Sequence, residues 1–136
     1  MKKIFVAVAL LGGLSQNLFA DRLIESFSGK LENLDSVDKH VLDLNSGKYK
    51  YILKLTGDTG AKVNMTIDKK KGSGLASEEL ITEEGLHPIN NYTKPFDVTV
   101  RNALGKDTDA TREITIKISK KIGFREVNYK IEIWKK

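Results

Sequence analysis

The sequence has 136 residues, with 23 Lys or Arg, 18 Asp or Glu and no Cys, which gives a formal net charge of +5 at pH 7. The lack of Cys excludes disulfide bonds and thiolate metal sites, so the fold must be stabilised by packing alone. The positive charge is modest and is not concentrated with aromatic residues on one predicted face, which argues against a nucleic-acid partner.

Residues 1–20 have the pattern of a secretory signal peptide. Met1-Lys2-Lys3 is a short basic start, and residues 4–14 form an uncharged apolar run, shorter than the roughly 20 residues needed to cross a bilayer. Ala20 is a suitable last residue before cleavage, because strong charge begins at Asp21. We therefore expect one mature domain, residues 21–136, that is periplasmic or secreted in a bacterium and has no membrane span.

The first half of this domain alternates apolar and polar residues, which is typical of half-buried strands. The pattern predicts strands within residues 27–34, 40–44, 48–55 and 61–68, separated by turns rich in Gly, Asn and Asp. The third run is the clearest, because one face collects apolar side chains while lysines occupy the other; the apolar members are Tyr49, Tyr51, Leu53 and Leu55.

The second half begins less regularly. Residues 75–95 are predicted to form a loop that packs across the sandwich, because they contain Pro88 and Pro95. Within this loop, residues 77–80 are predicted to form one helical turn, since Ser77 is a good N-cap and is followed by two acids. Alternation resumes in three runs, at residues 96–100, 114–118 and 127–133.

These seven or eight short strands and the near absence of helix predict an all-β fold. Antiparallel strands with one wet face, joined by short turns, favour a β-sandwich, and we expect the jelly-roll type.

No catalytic or metal site is visible in the sequence. His40 and His87 are far apart, whereas a zinc site needs a cluster of ligands. Asp107 and Asp109 fit either a solvated turn or a calcium site. No Ser lies in a nucleophile motif, and the acids of one stretch are expected in solvent rather than as a catalytic pair: Glu78, Glu79, Glu83 and Glu84. We therefore expect a protein that is not an enzyme, with no metal and no cofactor.

The best candidate for partner binding is the loop that carries Arg101, Lys106 and Arg112 between two strongly patterned strands. A rigid sandwich that holds out a basic loop can insert it into an acidic cleft. An ordinary strand connection is the alternative. The run of lysines at residues 69–71 lies beside glycines and is interpreted as a solvated turn.

Several segments resemble the bacterial pre-peptidase C-terminal domain, in which a Ser-Gly strand, an Asp-containing turn, a strand, a Gly turn and a further strand follow one another. The matching segments are Ser28-Gly29-Lys30-Leu31, residues 38–44, Gly47-Lys48-Tyr49 and residues 60–63. The periplasmic inhibitors of g-type lysozyme are similar to this domain, and their strand, basic loop and closing strand look like residues 96–100, 102–112 and 114–118 here. This resemblance implies a β-sandwich whose basic loop blocks a lysozyme cleft.

Together these observations predict an exported binding protein without catalytic activity. The most specific prediction is a periplasmic lysozyme inhibitor, in which Arg101, Lys106 and Arg112 contact the acidic cleft of the enzyme. The alternatives are a module that binds cell-wall glycan and an immunity or adaptor protein for another partner.

Overall fold

The computed structural model describes residues 20–71, 76–102, 105–106 and 110–136, so the predicted signal peptide lies almost wholly outside the described residues, as do Asp107 and Asp109. The described residues form strands without a helix: β1 (Arg22–Leu31), β2 (Val37–Asn45), β3 (Gly47–Gly57), β4 (Lys62–Lys70), β5 (Ser77–Leu86), β6 (Asn91–Val98), β7 (Arg101–Asn102), β8 (Gly105–Lys106), β9 (Thr111–Ile122) and β10 (Val127–Lys135). No helix in this part of the chain has the length and hydropathy needed to cross a bilayer.

The eight long strands form two four-stranded antiparallel sheets. The order is β1-β10-β3-β6 in the first sheet and β2-β9-β4-β5 in the second, while β7 and β8 form a small hairpin of their own. The chain changes sheet after every long strand except β4, which pairs directly with β5. This winding is the jelly-roll arrangement of two facing sheets, so the predicted antiparallel β-sandwich of jelly-roll type is confirmed.

The core lies between the sheets and is supplied by every second residue of the inner strands. The alternation predicted in β3 is confirmed, because its apolar face is fully buried. Inward residues on β10 of the same sheet and on β4 and β9 of the facing sheet complete the core, and the largest of these are Met65, Ile67, Ile114, Ile116, Ile118, Ile131 and Ile133. Burial of apolar side chains on this scale is the main stabilising term for a fold without disulfides.

Two tyrosines of the first sheet reach polar groups of the second sheet at opposite flanks of the core. At the β5–β6 flank, the Tyr51 hydroxyl donates to Glu83 Oε2 at 2.7 Å, and Lys94 Nζ lies 2.9 Å from the same oxygen. Burial and the neighbouring carboxylate raise the pKa of Tyr51. Burial would raise the pKa of Glu83, but the hydrogen bonds from Tyr51 and Lys94 outweigh it and lower that pKa.

At the β1–β2 flank, the Tyr129 hydroxyl donates to Asp38 Oδ2 at 2.7 Å and lies 2.6 Å from His40 Nε2. Because a hydroxyl carries a single proton, Nε2–H of His40 is the donor to the Tyr129 oxygen. Phe27 stacks on the His40 ring at 4.6 Å. Gly29 leaves room for the Tyr129 ring, since a Cβ at this position would lie 2.5 Å from the hydroxyl oxygen. His40 therefore has a structural role in this cluster.

The prediction for residues 75–95 was wrong. Ser77–Leu86 is strand β5 rather than a loop with a helical turn, and Asn91–Val98 is strand β6. The strand pattern of β5 is not apparent in the sequence, because its inward positions include the acid Glu83 as well as Ile81. The Glu83 carboxylate is bonded there by Tyr51 and Lys94. Glu83 is thus not in solvent, contrary to the expectation for the acidic stretch.

Pro95 is compatible with β6 because this strand is the free edge of its sheet. The residue pairs with Lys50 of β3, and only the other side of the strand lacks a neighbour. Proline is tolerated in edge strands, where one row of N–H groups has no partner to bond. Pro95 therefore marks an edge strand rather than a loop, whereas Pro88 lies in the β5–β6 turn.

Replacing Glu83 with Gln tests the bridge between the sheets. The folded-state pKa of Glu83 is lowered, so its charged form stabilises the fold above the unfolded pKa of about 4.3, and this contribution is lost as the pH falls through the folded-state pKa. We expect Glu83→Gln to lower the free energy of unfolding by about 1–3 kcal/mol at neutral pH and by less in acid. Urea unfolding at both pH values measures this difference. Glu84→Gln is the matched control, because Glu84 is exposed on the same strand; equal effects of the two changes would contradict the assignment.

Candidate binding site at the basic end

The connections between strands gather at two ends of the sandwich. One end, here called the basic end, holds the β2–β3 turn, the end of β4 with the start of β5, and the segment from β6 to β9. The opposite end holds the β1–β2, β3–β4, β5–β6 and β9–β10 turns. All three predicted partner-binding residues, Arg101, Lys106 and Arg112, belong to elements of the basic end.

The segment that leaves β6 is attached to the body of the sandwich by two buried or half-buried side chains. The Ser46 hydroxyl accepts a hydrogen bond from Val100 N at 2.8 Å, and Ser46 and Val100 are both buried. Lys69 Nζ donates to the Thr99 carbonyl oxygen at 2.7 Å and lies 3.2 Å from Glu78 Oε1. These bonds fix the backbone immediately before Arg101.

The backbone at Arg101 is held from the other side by Arg112. The Arg112 guanidinium donates to the carbonyl oxygens of Arg101 at 3.3 Å and Thr111 at 3.1 Å. Arg101 pairs with Lys106 across the β7–β8 hairpin. Arg112 is half-buried while Arg101 is exposed. The two predicted contact residues therefore have different roles in the structure. Arg112 holds the stem of the hairpin in position, whereas the side chain of Arg101 is exposed to solvent.

An open depression of about 560 Å³ lies beside this stem. Its lining contains five cationic side chains and two carboxylates, namely Lys69, Lys70, Lys71, Arg101, Arg112, Glu78 and Asp97, together with Thr99. The lysine run does not form the predicted solvated turn: Lys69 and Lys70 end strand β4 and are half-buried, and the fold places the run next to the arginines of the β6–β9 segment. Sequence reasoning missed this grouping because the lysine run lies 30 or more positions before the two arginines and meets them only through the β4–β9 pairing.

The opposite end has a second depression of about 550 Å³ with different chemistry, lined in part by Asp58, Phe124, Arg125 and Asn128. The Asp58 carboxylate accepts hydrogen bonds from the backbone N–H groups of Phe124, Arg125 and Gly60 at 2.9–3.0 Å. These bonds, led by the one from Arg125, lower the pKa of Asp58. They fix the β9–β10 turn, and the Phe124 side chain on this turn is fully exposed.

The remaining candidate residues do not converge on a site. His40 belongs to the Tyr129 cluster, and His87 is exposed in the β5–β6 turn. Within the described ranges, no group of three or more His, Asp or Glu side chains is arranged to hold a metal ion. The calcium hypothesis rests on Asp107 and Asp109, which lie outside those ranges.

No protein-family model and no curated protein sequence matches the chain. Solved structures are similar to the chain at low identity. The asymmetric unit of a human norovirus GI.7 Houston strain VLP is 12% identical, with a TM-score of 0.54, over 89% of this chain and 31% of that chain. An infectious bursal disease virus structure (Gx strain) is 11% identical, with a TM-score of 0.40, over 85% of this chain and 32% of that chain. TmCBM61 in complex with β-1,4-galactotriose is 16% identical, with a TM-score of 0.40, over 85% of this chain and 69% of that chain.

The chain spans about a third of the length of the viral chains that it matches. At 12% identity, the likeness to the norovirus structure shows the fold alone.

Replacing Ser46 with Ala tests how the basic end is attached. The change removes the acceptor of the buried Val100 N–H and leaves this group without a partner, so we expect the free energy of unfolding to fall by about 1–3 kcal/mol. We also expect faster amide exchange at Val100 and Arg101. Ser28→Ala is the control, because Ser28 is exposed on β1. A loss below about 0.5 kcal/mol for Ser46→Ala, as for an ordinary surface change, would show that the attachment lies elsewhere.

Proposed function

We propose that this protein is an exported binding protein without catalytic activity, and that its basic end docks into the acidic cleft of a g-type lysozyme. The observation that carries the proposal is the grouping of five cations around one depression, from the end of β4 with the residue that follows it, from β7 and from β9. Glycosidases such as lysozymes work with a pair of carboxyl groups flanking the scissile bond, so their clefts attract positive charge.

The cations of the basic end differ in their accessibility to a partner. Lys69 and Arg112 donate hydrogen bonds to the carbonyl oxygens of Thr99 and Arg101. Lys71 and Arg101 are exposed. A partner carboxylate would therefore meet Lys71 and Arg101 first, while Lys69 and Arg112 hold the backbone at Thr99 and Arg101 in place. This arrangement limits the conformational entropy lost on binding, because the stem of the loop is already ordered.

The lining of the depression also contains two carboxylates, but five cations outnumber them. Glu78 is paired with Lys69, so Asp97 is the one acid of the lining outside that ion pair. The surplus of positive charge at this end favours association with an acidic surface and suppresses association with a basic one. The resemblance of the sequence to the periplasmic inhibitors of g-type lysozyme supports the choice of partner.

Inhibition assays with purified lysozymes test the proposal. We expect the protein to slow lysis of peptidoglycan by a g-type lysozyme, and the inhibition to weaken as salt is raised, since exposed charges are screened. Arg101→Glu and Lys71→Glu should each raise the inhibition constant by about tenfold or more, because each brings a carboxylate towards the acids of the cleft.

The control for these reversals is Lys62→Glu, which makes the same change at an exposed lysine at the start of β4, at the opposite end. This variant should have an inhibition constant within about twofold of the unmodified protein, because the altered charge is far from the basic end. Undiminished lysis by g-type, c-type and i-type enzymes would refute the lysozyme partner. Equal loss with Lys62→Glu would show that overall charge, rather than the basic end, is responsible.

A second candidate function is binding of cell-wall glycan at the opposite end. Phe124 is the one large aromatic side chain that is fully exposed among the described residues, and it lies beside a depression lined by hydrogen-bonding groups. An exposed ring can stack on a sugar while neighbouring polar groups bind its hydroxyls. We expect Phe124→Ala to abolish co-sedimentation with insoluble peptidoglycan if this candidate is correct, with Arg101→Glu as the matched control at the basic end. Retention of Phe124→Ala on peptidoglycan would exclude it.

A further inference from the structure

We propose that two copies of this chain associate through the free edge of β2, antiparallel and about a two-fold axis at Val41, to join their second sheets into one eight-stranded sheet. The contact is distinct from the basic end and from the depression beside Phe124. It rests on four observations. The other three sheet edges are irregular or contain proline, whereas β2 is regular. The outer face of β2 carries exposed apolar residues. The charges of this face lie symmetrically about Val41, and each of them has a like-charge neighbour on β9.

The sandwich has four edge strands, and three of them carry features that oppose pairing with another strand. In the first sheet, β1 has an irregularity between Leu23 and Glu25, and β6 contains Pro95. In the second sheet, the pairing of β5 with β4 shifts register twice. Bulges and prolines are common means of protecting an edge. The remaining edge, β2, pairs with β9 in unbroken register from Val37 to Asn45 and contains no proline.

The outer face of β2 is partly apolar, and the side of the strand that faces away from β9 is open. Val37 and Val41 are 53% and 47% exposed, although both are large hydrophobic residues in a regular strand. In the part of the chain that the structure describes, β9 is the only strand paired with β2, so one row of its backbone N–H and C=O groups has no strand beside it. A regular open edge of this kind is a template for strand addition.

The outward-facing charges of β2 are arranged to complement a second copy. Lys39 and Asp43 lie at equal distances on either side of Val41 and share its face of the sheet. An antiparallel two-fold contact centred on Val41 therefore places Lys39 opposite Asp43 of the other copy, and Asp43 opposite Lys39, with the two Val41 side chains in contact. Opposite charges directly across an antiparallel pair are stabilising.

The same charges are poorly placed within one copy. In the register with β9, Lys39 lies opposite Lys117, and Asp43 lies opposite Glu113. Like charges directly across a pair oppose each other. A second copy in the proposed register would put an acid beside the Lys39–Lys117 pair and a lysine beside the Asp43–Glu113 pair. The contact thus relieves two unfavourable neighbours at once.

The geometry keeps the basic ends apart. Each β2 runs towards the basic end at Asn45, so the two-fold axis places the basic ends at opposite poles of the dimer. The surplus positive charge of one copy does not meet that of the other. Each pole remains free to bind a partner, and this inference therefore stands or falls independently of the proposed function.

Charge exchange on β2 tests the dimer and its register. Sedimentation equilibrium of the purified protein should show a reversible dimer. Lys39→Asp and Asp43→Lys should each raise the dimer dissociation constant by at least about tenfold, because each creates two like-charge contacts across the axis. The double variant should restore dimerisation, since it exchanges the two charges and recreates both pairs.

Two further variants separate the edge contact from general effects. Val41→Lys places two lysines at the axis and should give a monomer with an unchanged fold, since Val41 is about half exposed. Lys54→Asp alters an exposed lysine of β3, an inner strand, and should leave the dissociation constant unchanged. A protein that stays monomeric up to millimolar concentration overturns the proposal. The proposal is also contradicted if the single charge reversals leave the dissociation constant of the dimer unchanged, or if the double variant does not restore dimerisation.

Discussion

The hydroxyl groups of three tyrosines decide how the two sheets of this protein are held against each other. Tyr51 and Tyr129 donate to the carboxylates of Glu83 and Asp38, and the Tyr49 hydroxyl lies 2.6 Å from Asn45 Oδ1. All three rings belong to the first sheet and all three partners to the second. Apolar contacts between sheets are not directional, whereas hydrogen bonds have a required geometry, so these bonds set the position of one sheet over the other.

That fixed position has consequences for the ends of the sandwich. Because the chain changes sheet at nearly every connection, each end collects turns that are distant in sequence but adjacent in space. The ends have different chemistry. One gathers the lysine run at the end of β4 and the arginines of β7 and β9, and the other presents the ring of Phe124. A jelly-roll scaffold can therefore carry two surfaces that vary without disturbing the core.

The sandwich was predictable from sequence because its inner strands follow a period of two over most of their length, as in β3 with Tyr49, Tyr51, Leu53 and Leu55. The edge strands were less predictable, since an edge needs fewer apolar residues and tolerates proline. The inward Glu83 broke the pattern of β5, and only the pairing with Tyr51 explains it. The arginines of the basic end were predicted as contact residues from sequence, but the position of the lysines beside them depended on a strand register that periodicity does not specify.

Several charged side chains in the described part of this fold bond to backbone groups of neighbouring turns. Lys120 is 1% exposed, and its ammonium donates to the carbonyl oxygens of Glu32 and Arg125, which joins the β1–β2 and β9–β10 turns. Asp58, Lys69 and Arg112 act similarly on neighbouring turns. A charge bonded to backbone in this way orders a loop but contributes little to recognition. The charges available for recognition are therefore the exposed ones that these groups position, and a count of basic residues in a loop overstates its binding surface.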